Sequence, residues 1–230
     1  MCFFVKIIVA MTISEENYLK VIYHLSQVSP KGVNTNAIAG TLETKASSVT
    51  DMMKKLSEKE LVIYKKYQGV TLTEGGFLSA KMIVRKHRLW EVFLVEKLGF
   101  AWDEVHEIAE ELEHIKSQSL IDKLDEFLGF PAFDPHGDPI PNENGDIKKV
   151  AKLLLSEAEI DKEYQCVGVK DSSSEFLQYL DKQNIALGTL LKVVHKEQFD
   201  ETLTIQFEYD TLIISNKIAK NLFVKVKKHE

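Results

Sequence analysis

The stretch Ala46-Ser-Ser-Val-Thr-Asp-Met-Met-Lys-Lys-Leu-Ser-Glu-Lys59, followed by Leu61-Val-Ile-Tyr-Lys-Lys66 and Val70-Thr-Leu-Thr73, decides how the first third of the chain is read. Val49, Met53 and Leu56 recur at helical spacing and predict one buried face, leaving Ser47, Ser48, Thr50, Asp51, Lys54 and Lys55 outside. Two short β-prone runs then flank Tyr67-Gln-Gly69, a hairpin signal. Upstream, Ile13, Tyr18, Leu19, Ile22, Tyr23 and Leu25 predict a helix over 14–28 with Ser14 as N-cap and two glutamates in its first turn. Pro30-Lys-Gly32 breaks the chain, and Asn34 or Thr35 caps a short helix carrying Ile38, Ala39 and Leu42. Helix, helix, helix, hairpin is the winged helix-turn-helix order, with the third helix offered to the major groove of DNA. From 45 to 67 six lysines stand against Asp51, Glu58 and Glu60, a local excess of positive charge that suits phosphate. Ser47, Ser48, Thr50, Lys54, Lys55, Lys65, Lys66 and Tyr67 are the residues assigned to DNA. The alternative is a solvated helix and ribbon with no ligand.

The whole chain has 230 residues, 44% of them hydrophobic and 28% charged, which describes a soluble globular protein of two or three domains. A net charge of −6 excludes a generally basic nucleic-acid coat but not a local patch. Cys2 and Cys166 alone make no disulfide framework, and a reducing cytoplasm is expected. The apolar opening, Met1 to Ala10, is too short for a membrane span. It reads as an over-called start ahead of Met11, or as an extra strand. No other stretch is suited to crossing a membrane.

Three of the seven histidines fall between 85 and 114. Glu74-Gly-Gly opens a helix to Leu98 on which His87 and Glu91, four apart, share a face. Trp102-Asp-Glu opens the next, where His106, Glu110, Glu113 and His114 form one stripe at i, i+4, i+7 and i+8. Imidazoles and carboxylates grouped in this way suit a divalent cation of intermediate hardness; an acidic, solvated helix face is the alternative. Ser117 or Ser119 starts a further helix to Leu128. Ile83, Leu89, Val92, Phe93, Leu120, Ile121 and Leu124 could supply a homodimer seam. Residues 130–146 hold four of the five prolines and read as a structured turn or linker, with His136 a lone histidine in it. Beyond them, short alternating runs at Val167–Val169, Leu190–Val194, Thr202–Phe207, Thr211–Ile214 and Leu222–Val226 predict a small barrel, with a helical turn at Phe176–Leu180.

Arg85-Lys-His-Arg-Leu-x-Glu91, Val105-His106 followed by Glu110-x-x-Glu113-His114, and Pro135-His-Gly-Asp-Pro-Ile-Pro141 together resemble the diphtheria-toxin-repressor family of metal-dependent transcriptional regulators. The likeness is to its three-part form and spans residues 11 to 230, more densely up to 141. The resemblance implies a mainly α architecture with β: a winged helix-turn-helix at 11–74, a helical dimerisation and metal-binding domain at 75–145, and an SH3-like, FeoA-like β-barrel at 160–230. It implies one metal site of His87, Glu91 and His106, completed by Asp171 or Glu175. A second would use Glu110, Glu113 and His114 with residue 17. Asn17 stands where manganese-type members have Asp and iron-type members Met, and Lys20 where short two-metal regulators have Glu. Glu110 replaces the Cys of iron-type members, and a harder carboxylate favours Mn²⁺, with Fe²⁺ the alternative and Zn²⁺ a substitute in vitro.

The implied function is a cytoplasmic, manganese-dependent homodimeric repressor of metal-uptake genes. Its partners would be a palindromic DNA operator and a second copy of itself, with no membrane, no small-molecule substrate and no catalytic residue. Two other readings compete. His106-Glu-Ile-Ala-Glu110 is one residue from the zinc-protease His-Glu-x-x-His helix, but Glu110 removes the second imidazole. The third reading is a winged-helix regulator of a non-metal ligand, with structural acidic helices.

Overall fold

The computed structural model describes residues 10–66, 68–207 and 210–227. Tyr67, assigned above to DNA, and residues 1–9, most of the possible extra strand, lie outside them. The chain divides into two compact units. One holds the described residues up to His87 with Leu112–Ser117 and Pro141–Asp146. The other holds Arg88–Glu111, Gln118–Ile140 and the described residues from Ile147 onward.

In the first unit, α1 spans Ile13–Val28 and its N-cap is Thr12, not Ser14. The reason is a capping box: the Thr12 hydroxyl accepts from the Glu15 amide at 3.3 Å, and the Glu15 carboxylate accepts from the Thr12 amide at 2.8 Å. Ser14 has Asn17 three residues on, Thr12 has Glu15, and the carboxylate wins. Asn34 caps α2 (Thr35–Thr41), its Oδ1 accepting from the Asn36 amide. α3 spans Ala46–Glu58 behind Lys45, which makes no side-chain cap. β1 (Val62–Lys65) and β2 (Gly69–Leu72) pair antiparallel, and Val33 bridges to Val70 beside them. Leu19, Ile22, Ile38, Val49, Met53, Leu56 and Val70 are fully buried in one core, each contributing about 1.5–3 kcal/mol. The spacing that predicts an inner face of α3 is thus the spacing that packs it, and the winged helix-turn-helix stands as expected.

α4 runs Glu74–Leu98. Gly76 lets its first turn approach the hairpin, since a Cβ there would lie 1.8 Å from the Leu61 carbonyl oxygen. α5 spans Val105–Leu112, so Glu113 and His114 stand in the turn beyond it and the four-residue stripe is interrupted. α6 spans Gln118–Phe127. Ile83, Leu89, Val92, Ile121 and Leu124 are buried inside the chain and offer no dimer seam. Leu98, Phe100, Leu120, Phe127 and Phe130 are the large apolar side chains exposed in this region.

The rest of the second unit is an antiparallel sheet of β3 (Leu153–Leu154), β4 (Glu163–Val169), β5 (Leu190–Lys196), β6 (Leu203–Phe207), β7 (Asp210–Ile214) and β8 (Leu222–Val226). Its order is β3-β8-β4-β5-β6-β7. α7 (Ser174–Lys182) and the short α8 (Asn216–Ala219) pack against it. Tyr164, Leu177, Leu180, Val193, Ile205 and Val224 fill its core. Cys166 is buried there and burial pushes its thiol up to about 11, a structural position. Trp102, preceding α5, packs on the same core, and its indole donates to Asp181 at 3.0 Å. No helix among the described residues is long and apolar enough to cross a membrane.

Candidate metal centre and DNA-facing surface

In the first unit, Glu113 is completely buried and three side chains converge near it. His87 Nδ1 lies 2.7 Å from Glu113 Oε2, and the Lys20 ammonium is 2.8 Å from Oε1 and 2.9 Å from Oε2. Burial works against ionisation of Glu113, but His87 and Lys20 outweigh it and hold the carboxyl below its ordinary range. Its Oε1, despite the nearby ammonium, makes no hydrogen bond of acceptable geometry. A buried carboxylate oxygen with an ion pair but no well-formed hydrogen bond keeps a lone pair for a cation. His114 Nε2 stands 3.8 Å from Glu113, and its Nδ1 is 2.5 Å from Glu16 on α1. Glu16, not the half-buried Asn17, is therefore the α1 residue that meets this histidine.

In the second unit, Glu91, Asp134 and His136 are all buried and offer ligand atoms within 4.8 Å of one another. α4 supplies Glu91, one helical turn after His87 and on the same face. The other two come from the proline-rich turn, held by its own hydrogen bonds. Asp134 Oδ1 accepts from the amides of His136 and Asp138, and Phe133 bridges to Pro139. Arg88 fixes the turn to α4, reaching the Pro139 carbonyl at 2.6 Å, Asp138 at 3.1 Å and Asp134 at 3.2 Å. His136 Nδ1 is 3.6 Å from Glu91, its Nε2 is 2.8 Å from the Trp102 carbonyl, and its ring stacks on Trp102 at 6.2 Å. Burial opposes a charge on His136, but the Glu91 carboxylate outweighs it and pushes the imidazole up to about 9. Burial, then the Glu91 charge, pushes Asp134 up to about 7 against the pull of Arg88. His106 is exposed beside this group, its Nδ1 3.5 Å from Glu91 and its Nε2 3.6 Å from the exposed Glu110. Two carboxylates and one or two imidazoles form a hard-to-intermediate donor set that fits a divalent first-row ion.

Asp171 instead caps its own turn, accepting from the Ser173 amide at 2.9 Å, a bond that helps hold its carboxyl low; Glu175 is exposed on the first turn of α7. On the winged domain, Ser47, Ser48, Lys54, Lys55, Lys65 and Lys66 are all exposed. Thr50 is different. Its hydroxyl donates back to the Ala46 carbonyl at 3.0 Å and is spent within α3. Lys54 pairs with Asp51 at 3.2 Å, an exposed pair that phosphate could displace at little cost.

Three family models match the chain. They are the iron dependent repressor N-terminal DNA binding domain at 10–70, the iron dependent repressor metal binding and dimerisation domain at 73–142, and the FeoA domain at 153–226. An uncharacterized HTH-type transcriptional regulator of Methanocaldococcus jannaschii is 39% identical over 118 residues, 51% of this chain and 94% of that protein. The chain belongs to the iron-dependent repressor family of metal-dependent transcriptional regulators. The HTH-type transcriptional regulator MntR of Oceanobacillus iheyensis is 34% identical over 120 residues, 52% of this chain and 80% of that one. A solved manganese-dependent transcriptional repressor in complex with manganese is 33% identical, with a TM-score of 0.81 over 93% of this chain and all of that one.

In this member of the iron-dependent repressor family, no local spacing marks Glu16, Asp134 or His136 as a ligand. Glu16 has the place of a helix-start charge, and His136 stands alone among turn residues. Its partner Glu91 is 45 positions upstream, beyond any local spacing rule. The available signal is composition: an imidazole in an Asp-Pro-His-Gly turn needs hydrogen-bond partners wherever the turn is packed.

Proposed function

We propose that the chain is a manganese-dependent, homodimeric repressor that binds a palindromic operator of metal-uptake genes. The observation that carries this reading is the contact of Glu16 on α1 with His114, because it ties the winged domain's first helix to the buried Glu113 group. Glu113, His114 and Glu16 would hold one cation, with His87 beside Glu113. Glu91, Asp134 and His136 would hold another, with His106 next to Glu91 and Glu110 next to His106. A bound divalent ion would supply the positive charge that lets these buried carboxylates stay close together. What the chain's own residues do is orient α1, and hence α3, for DNA. A cation shifts this equilibrium only by preferring the arrangement in which α1 is docked.

The division of labour proposed is DNA binding by 11–74, dimerisation and metal sensing by 75–145, and an SH3-like module at 160–230. The model that matches 73–142 describes dimerisation, and exposed Leu98, Phe100, Leu120, Phe127 and Phe130 supply apolar surface for it. Paired α3 helices would then read half-sites about 34–36 Å apart or a multiple of that. Mn²⁺ is preferred because the clusters hold carboxylates and imidazoles and no thiolate, with iron the alternative. Action in the cytoplasm, without a membrane or a small-molecule substrate, completes the proposal, and no residue is assigned a catalytic role. The test is operator binding by fluorescence anisotropy, titrated separately with Mn²⁺, Fe²⁺ and Zn²⁺. Tightening at the lowest free concentration of Mn²⁺ supports the proposal, and tightening first with Fe²⁺ transfers it to iron. Operator binding indifferent to every metal refutes it in favour of a non-metal ligand.

A further inference from the structure

We infer that Lys20 is a tethered cation: its ammonium holds α1 on Glu113 and competes with a divalent ion for that carboxylate. The inference rests on the metal-dependent reading above and names what sets its threshold. Lys20 lies on the buried side of α1, nine-tenths shielded, and crosses 93 positions of sequence to reach a carboxylate that is wholly buried. It approaches both oxygens of Glu113, at 2.8 and 2.9 Å, while His87 Nδ1 lies 2.7 Å from Oε2. Other charged groups face the same space. Glu16 pairs with His114, and Lys86 on α4 lies within electrostatic reach of Glu16, Glu113 and Lys116.

A buried carboxylate costs several kcal/mol unless a cation compensates it. Lys20 compensates Glu113 from a position on the element whose docking matters. With Glu16 and Glu113 at a formal −1 each and Lys20 at +1, the three sum to −1. Without the ammonium they sum to −2, the charge a divalent ion balances. Two consequences follow from one contact. In the metal-free protein α1 is already held, so metal has less docking left to drive. An arriving ion must also share Glu113 with the ammonium, which raises the concentration at which it binds. Glu113 Oε1, lacking a well-formed hydrogen bond, is the oxygen over which the two would compete.

The test uses the full chain with Lys20→Met, which keeps most of the side chain's volume, and Lys20→Arg, which keeps its charge. Mn²⁺ binding is read by calorimetry, and hydrogen exchange of the α1 amides is read in chelator. Lys20→Met should tighten Mn²⁺ binding about tenfold and speed metal-free exchange of α1 about tenfold, whereas Lys20→Arg should track the wild type. In a Glu113→Gln background Lys20→Met should add nothing to either measurement, as expected when two residues act through one contact. Unchanged Mn²⁺ affinity and unchanged exchange in Lys20→Met overturn the inference. Wild-type protein that binds no Mn²⁺ overturns the metal reading and the competition with it. The exchange measurement then judges the tether alone, and unchanged exchange removes that too.

Discussion

His136 shows how much a single residue's environment can alter what it does. Pushed up to about 9 chiefly by Glu91, against its burial, it carries a proton at neutral pH in the metal-free protein. Because its folded pKa lies above the ordinary 6.5, its contribution to stability is full below about pH 6.5 and is lost as pH rises through about 9. A metal ligand must be a neutral imidazole, so binding at Glu91, Asp134 and His136 has to expel that proton. Between pH 7 and 8 the Mn²⁺ affinity of this group should therefore rise about tenfold. Calorimetry at pH 8, where Asp134 is already largely ionised, in buffers of differing ionisation enthalpy should count about one proton released, and His136→Gln should release almost none. Release unchanged by that substitution would remove His136 from the ligand set. A second residue-scale expectation separates the neighbours Glu16 and Asn17. Glu16→Gln should weaken Mn²⁺ binding about tenfold, because it removes a charge 2.5 Å from His114. Asn17→Ala should leave the midpoint within about twofold. The reverse ranking would return the α1 ligand to position 17.

Among the elements, those whose structure is set by their own residues were legible, and those set by distant partners were not. Val49, Met53 and Leu56 define the buried face of α3 in the sequence and in the fold alike. The end of α5 is the contrary case. Spacing continues the helix through His114, but Lys20, His87 and Glu16 hold Glu113 and His114 in the turn beyond Leu112. No local pattern encodes those three partners. At α3 the sequence also leaves a conflict between stability and function. Lys45 occupies the N-cap without a side-chain cap, and a lysine there also opposes the helix dipole. Lys45→Ser should stabilise the winged domain by about 1 kcal/mol in thermal unfolding. The same change should weaken operator binding and flatten its dependence on log salt, if Lys45 lies on the phosphate side. On the hairpin, Lys65→Ala with Lys66→Ala should weaken binding to all sequences and reduce the salt slope by about one unit per lost contact. A slope that does not move would place DNA on another face.

Across the whole molecule, the best example of assembly from distant sequence is the join inside the second unit between the proline-rich turn and the β-sheet. The sheet's strands were readable by alternation, but nothing in 130–141 announced that this turn would seat on β4. The His136 carbonyl accepts from the Val169 amide at 2.9 Å, while the His136 ring faces Glu91 and stacks on Trp102. One residue thus belongs to the candidate metal group and to the sheet's edge of contact. Gly137 makes this possible. Its φ is +84°, and a Cβ would lie 2.1 Å from the Val167 carbonyl oxygen and 2.4 Å from the Gly168 Cα, both backbone atoms that cannot swing aside. Gly137→Ala should destabilise the second unit by about 3 kcal/mol in denaturant unfolding, the sum of left-handed strain and overpacking. Because the turn must shift to admit the methyl, Mn²⁺ binding at Glu91, Asp134 and His136 should weaken in the same variant. Gly40→Ala is the control: nothing lies within 4 Å of its Cβ and it sits inside α2, so it should be neutral or stabilising by up to about 1 kcal/mol. If Gly137→Ala lowers stability but leaves Mn²⁺ binding and its proton release unchanged, the sheet and the metal group are neighbours without being coupled. If both fall together, occupancy of the Glu91 group is sensed by the SH3-like module through one backbone hydrogen bond and one glycine.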